Sequence, residues 1–124
     1  MQTYNLYLIF AEIEGIGQWK IGVSKHPEKR LLELSTANPN IKGISVIYEV
    51  ETRELAYMIE SRLKKKLEPF KINGEWVEHV ALNDTLFIEY CKHFDMLCSH
   101  IIEMKNTKKE NKKYENFGKA FRYY

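Results

Sequence analysis

The sequence predicts an α/β (α+β) domain: a small antiparallel three-stranded sheet flanked by helices, with an extra C-terminal helix. Three observations predict it. The chain has 124 residues, room for one domain and a short tail but not for two ordinary domains. Hydrophobic residues make up 44% and charged residues 29%, a balance that supports a packed core and excludes wholesale disorder. Short apolar runs bounded by Gly, Asn or Pro alternate with segments whose leucines recur at helical spacing.

Each element follows in order. Residues 4–13 are aromatic and aliphatic with few breaks and read as a mostly buried strand. Gly15 and Gly17 mark a turn, and residues 18–23 resume a strand, giving an N-terminal hairpin. Ser24 is positioned to cap a segment whose first turn suits Pro27, so residues 27–36 read as a helix with Leu31, Leu32, Leu34 and Ser35 on one face. Pro39 disfavours helix at Asn38 and ends it. Residues 43–50 form a third strand. Thr52 caps a second helix, about residues 53–68, whose core stripe is Leu55, Ile59, Leu63 and Leu67; Pro69 stops it. Residues 72–77 are a turn leading into a short extended piece. Asn83, Asp84 and Thr85 start a third helix, about residues 84–106, with an apolar series from Leu86 to Ile102. The chain thus divides into a core of residues 1–80, a packed helix at 81–106 and a tail at 107–124.

Charge separates the tail from the body. Residues 105–124 carry seven Lys/Arg against two Glu, a net of +5, while residues 1–104 carry twelve basic and fifteen acidic groups, a net of −3. The overall +2 conceals this division. Cys91 and Cys98 sit seven apart on one expected helix, about 10.5 Å of rise, too far for a disulfide in place. They read as buried thiols in a reducing compartment. No signal-peptide pattern and no stretch of bilayer length is present, so a cytoplasmic location without membrane contact is expected. No Cys/His cluster has zinc spacing.

Four pieces of sequence, taken in series, carry a resemblance. They are Asn5-Leu6-Tyr7 on the first strand, Lys20-Ile21-Gly22 on the second, Arg30 on the first helix and Glu60 on the second, closed by Gly74-Glu75-Trp76-Val77. The chain resembles the GIY-YIG nuclease superfamily, in a branch frequent in phages whose second motif reads K-I-G and which has a G-E-W signature. The likeness covers about residues 4–80. Three positions depart from the superfamily pattern: Asn5 replaces a glycine, Lys20 a tyrosine, and Lys64 a histidine four residues after the glutamate. The resemblance implies a GIY-YIG-like fold and a divalent-metal-dependent endonuclease that hydrolyses DNA. It gives Tyr7 the role of base or water positioner, Arg30 that of stabilising the phosphate, and Glu60 that of binding Mg²⁺ (or Mn²⁺).

Elementary chemistry is compatible with those roles. One carboxylate with waters and substrate oxygens holds Mg²⁺. A guanidinium matches the charge of a pentavalent phosphate, and a phenol on a rigid strand orients or deprotonates water. At about 100° per residue, Glu60 falls at the rim of the second helix's buried face, beside Lys64 and Tyr57. Lys20, on the neighbouring strand, is expected to lower the Tyr7 pKa or to hold a phosphate. Gly22 and Trp76 support the site. Glu75 is read as hydrogen-bonding backbone or Arg30, or as shaping its turn. Candidate nucleic-acid contacts are His26, Arg62, Lys64 and Lys65, with Lys108, Lys109, Lys112 and Lys113 from the tail; such contacts give affinity without sequence choice. The expected partner is DNA, with RNA not excluded. The tail's Tyr114, Phe117, Phe121, Tyr123 and Tyr124 suit base stacking, docking on the body or a homo-oligomer contact equally. Taken singly, each of these residues also has an ordinary structural reading: Tyr7 and Trp76 as core, Arg30 and Glu60 as solvated charges, the Arg62–Lys66 run as a helix face. The competing function is therefore a catalytically inactive nucleic-acid- or protein-binding module of the same fold.

Overall fold

A computed structural model of the chain describes residues 3–113, with side chains as far as Thr107. The elements are β1 (Tyr4–Ile13), β2 (Ile16–Ser24), α1 (Pro27–Ala37), β3 (Ile41–Val50), α2 (Arg53–Leu67), β4 (Lys71–Asn73), β5 (Trp76–Glu78) and α3 (Asp84–Lys113). All strand pairs are antiparallel, in the order β3-β1-β2-β5-β4. The sheet therefore has five strands, not the expected three. The two extra strands come from residues 71–78, where the sequence reads only as a turn and an extended piece. Three residues are too few to show a period, and β5 is a strand because Trp19 and Gln18 of β2 offer it backbone partners at Val77 and Glu78.

The hairpin loop is two residues long, since Ile13 pairs with Ile16. Glu14 and Gly15 both take positive φ (52° and 78°), the geometry that matches strand twist in tight hairpins. Alternation along β1 then sorts its side chains. Leu6 and Leu8 join Ile21, Ala56, Ile59, Leu63, Phe87, Cys91 and Cys98 in the main core, between the sheet and α2 with α3. Asn5, Tyr7, Ile9 and Ala11 point the other way, and α1 lies against β3, β1 and β2.

Local chemistry sets the helix ends. Thr52 Oγ1 accepts from the Leu55 N–H at 3.2 Å and Asn83 Oδ1 accepts from the Leu86 N–H at 2.9 Å. The expected Ser24 cap is different. The residue before α1 is His26, which makes no side-chain cap, and its own N–H donates to Ser24 Oγ at 2.9 Å. Ser24 thus shapes the entry to α1 without capping it. The leucine face of α1 also differs: Leu31 and Leu34 are half-buried but Leu32 is 68% exposed. Adjacent helical residues diverge by about 100°, so Leu31 and Leu32 cannot share one narrow contact.

Both cysteines are free and buried, and burial pushes the Cys91 thiol up to about 12. No helix among the described residues is long and apolar enough to cross a membrane. The last helix runs on to Lys113, past the expected end at 106. Lys108, Lys109, Lys112 and Lys113 fall on its final turns, where side chains lie outside the described part. The aromatic tail residues Tyr114, Phe117, Phe121, Tyr123 and Tyr124 lie outside the described residues.

Candidate active site

Tyr7 stands near the middle of β1, directly across from Gly22 of β2 and Ile47 of β3. Its side chain is 3% exposed. Its ring lies over Gly22: a Cβ added there would come within 2.7 Å of Tyr7 Cε2 and closer still to the hydroxyl end. Glycine at position 22 is thus what gives the phenol its place on the sheet. Burial raises the Tyr7 pKa above its ordinary value. The positive charge of the Arg30 guanidinium opposes that rise; the Glu60 carboxylate adds to it and Lys64 opposes it. Charged residues of α1 and α2 therefore bear on the phenol of β1.

Arg30 reaches this point because α1 starts at a fixed place. The Arg30 N–H donates to the His26 carbonyl at 3.1 Å, closing the first turn of α1. Asn5, two residues before Tyr7, donates from Nδ2 to the Ser24 and Lys25 carbonyls at 3.2 and 3.4 Å. This buried amide ties β1 to the β2–α1 connection. By motif alone Asn5 is a departure; the sequence signal of its role is a polar residue inside an apolar strand.

A chain of alternating charge continues from Glu60. Lys64 Nζ lies 3.4 Å from Glu60 Oε2, the i,i+4 pair expected from spacing, and 2.7 Å from Glu75 Oε1. Glu75 Oε2 lies 3.8 Å from Lys20 Nζ, which also stands 5.8 Å from the Trp76 ring centroid. Burial depresses the Lys64 pKa, but the hydrogen bond to Glu75 and the two carboxylate charges outweigh it, so the net shift is upward. The hydrogen bond from Lys64 lowers the Glu75 pKa; burial opposes this, and the Lys64, Lys20 and Lys71 charges reinforce it.

Part of two expectations changes here. Of the two roles expected of Lys20, lowering the Tyr7 pKa falls to Arg30 and Lys64, while Lys20 turns to Glu75 and Trp76; the phosphate-holding role stays open. Glu75 lies in the β4–β5 turn as expected, but its side chain meets two lysines instead of backbone or Arg30, and Arg30 pairs with Glu33 at 3.5 Å. Position explains both, because the β4–β5 turn lies beside β2. Arg62 and Lys65 are not part of the cluster. They line a separate groove of about 580 Å³ on another side of α2, with Glu54, Tyr57, Met58 and Ser61. The Arg62 charge also opposes the rise that burial imposes on the pKa of the Cys98 thiol of α3. His26 is exposed at the start of α1.

Among the described residues no three His, Cys, Asp or Glu side chains gather as a metal cage. The oxygen donor at the centre is Glu60, its side chain 16% exposed. A single carboxylate fits Mg²⁺, which keeps most of its waters and completes its shell from substrate phosphates.

A family model described as the T5orf172 domain matches residues 6–88. The chain belongs to that family. T5orf172 domains are phage-type and associated with nuclease-like proteins. The T5orf172 match takes in Tyr7, Lys20, Gly22, Arg30, Glu60, Lys64, Glu75 and Trp76, and ends soon after the start of α3. No match was found among curated proteins or among solved structures.

Proposed function

We propose that this T5orf172 protein is a divalent-metal-dependent endonuclease of GIY-YIG type that hydrolyses DNA phosphodiester bonds. One observation carries the reading: a buried phenol on β1 shares its surroundings with a guanidinium from α1 and a carboxylate from α2. Water attacks phosphorus, one P–O bond breaks, and the leaving oxygen takes a proton. Arg30, half exposed, donates to phosphate oxygens as charge builds on them. Burial raises the Tyr7 pKa above its ordinary 10, which favours water positioning by a neutral phenol over a preformed phenolate base. Glu60 is the residue that would hold Mg²⁺ or Mn²⁺, which when bound supplies Lewis acidity to the phosphate. Lys20 and Lys64 contribute positive charge to the same cleft, where Gly22 makes room for the Tyr7 ring and Trp76 backs Lys20. The basic end of the chain, including Lys108, Lys109, Lys112 and Lys113, adds backbone affinity; deletion of residues 105–124 is expected to weaken DNA binding and flatten its salt dependence.

A second reading, a non-cleaving nucleic-acid-binding module, is favoured by the Lys64 ammonium, which already neutralises Glu60 without metal. Nicking of supercoiled plasmid with Mg²⁺ or Mn²⁺ decides between them. Wild type should nick and Glu60→Ala should not; equal cleavage by both, or none by either across metals and DNA or RNA substrates, overturns the endonuclease.

A further inference from the structure

The β4–β5 turn places one carboxylate between lysines from two different elements. Glu75 Oε1 accepts from Lys64 Nζ of α2 at 2.7 Å, and Glu75 Oε2 faces Lys20 Nζ of β2 at 3.8 Å. Two anionic oxygens on one centre, each directed to its own ammonium, is also the demand made by the non-bridging oxygens of a phosphodiester. We propose that Lys20 and Lys64 form a seat for one backbone phosphodiester, and that Glu75 occupies this seat in the free protein. The inference rests on the reading that this cleft receives nucleic acid.

The surroundings are built for exchange. Glu75 is 49% exposed and follows Gly74, whose φ of 59° turns the chain between two three-residue strands. Little packing anchors that carboxylate, so it can leave. The lysines are better held. Lys20 stands over the Trp76 ring, and Lys64 keeps Glu60 as a second partner at 3.4 Å. The seat thus persists when Glu75 departs. It lies next to the Tyr7–Arg30–Glu60 group through Lys64, so a phosphate seated there places the strand along the proposed reactive centre. In the free protein, Glu75 acts as a competitive anion that any bound strand must displace.

Fluorescence anisotropy with a labelled DNA duplex, at low salt and in EDTA, tests this without cleavage. Glu75→Gln should tighten binding about tenfold, the scale of one charge-assisted contact regained by the strand. In a Lys64→Met background the same substitution should change affinity less than about twofold, because the seat is gone. No tightening, or equal tightening in both backgrounds, would overturn the proposal; the latter would be a general effect of removing one negative charge. Displacement of the duplex by inorganic phosphate at matched phosphate concentration would assign the seat to the free anion and overturn the backbone assignment. Far-UV circular dichroism confirms that the variants are folded. Because the readout is affinity, the result stands or falls independently of the nicking comparison with Glu60→Ala.

Discussion

Two tyrosines on neighbouring strands set the site apart from the scaffold. Tyr7 of β1 is buried and Tyr48 of β3 partly so, and burial raises both pKa values. Their partners differ. Tyr48 donates its hydroxyl to Asp95 Oδ2 of α3 at 2.6 Å, and Ser99 Oγ donates to Asp95 Oδ1 at 3.0 Å. A phenol that donates to a carboxylate is pinned in its neutral form and bolts β3 to α3. Tyr7 instead feels the positive charges of Arg30 and Lys64, which oppose the rise, and the negative charge of Glu60, which adds to it. Two of the three charges that bear on it are cations. Burial of a phenol is therefore not itself a functional signal; the sign of the charge that meets it is.

The largest expected effect separates the two. Tyr7→Phe should lower plasmid nicking at least about 100-fold, the scale of losing a positioned proton-transfer or water-orienting group, while the melting temperature stays near wild type. Tyr48→Phe should do the reverse: nicking within about twofold, and stability lower by about 1.5 kcal/mol from the lost bond to a charged acceptor. If both variants lose activity in proportion to stability, the contrast fails. The pH profile sharpens it further. Should Tyr7 position water as a neutral phenol, nicking is insensitive to its titration between pH 7 and 9. A phenolate base would raise the rate about tenfold per pH unit across that range.

Gly22→Ala tests the seat under the Tyr7 ring. The added methyl would meet the phenol, so the ring must shift, at a cost of about 1–3 kcal/mol in denaturant unfolding together with loss of nicking. Combining it with Tyr7→Ala should relieve most of the added strain, since the clashing atoms are removed. A Gly22→Ala protein with wild-type stability and rate would show that the sheet accepts the methyl and that the close approach has no function.

The β1–β2–α1–β3–α2 segment was legible in the sequence because each element carries a local signature: apolar runs, Pro27, the Thr52 cap and leucines every four residues. The resemblance named Arg30 and Glu60 together with Tyr7, and both charges bear on that phenol in the fold. The β4–β5 hairpin was not, because its strands exist through pairing with β2 across more than fifty residues of chain. With it went the true partners of Glu75 and Lys20. Asn5 was overlooked for a related reason: its amide bonds to carbonyls nineteen and twenty residues away, and no local pattern announces them.

The smallest effect concerns the charges beside Tyr7, which on this reading serve substrate more than fold. Glu75 and Lys64 are partly solvated, so removing their pair by Glu75→Gln should cost only about 0.5 kcal/mol at pH 7, less than Tyr48→Phe. The pH dependence has a definite sign. Glu75 titrates lower in the folded protein than its ordinary 4.5, so its contribution is present above that value and lost as pH falls through the depressed one. Lys64 titrates higher than its ordinary 10.5, so its contribution is present below that value and lost as pH rises through the elevated one. Glu60, Lys20 and Lys71 face the same pair. The stability difference between wild type and Glu75→Gln in urea should therefore be a low plateau from about pH 5 to 10 that closes at both ends. A difference of about 2 kcal/mol or more would make the pair a structural bolt like Tyr48–Asp95, and would erase the distinction between the two regions.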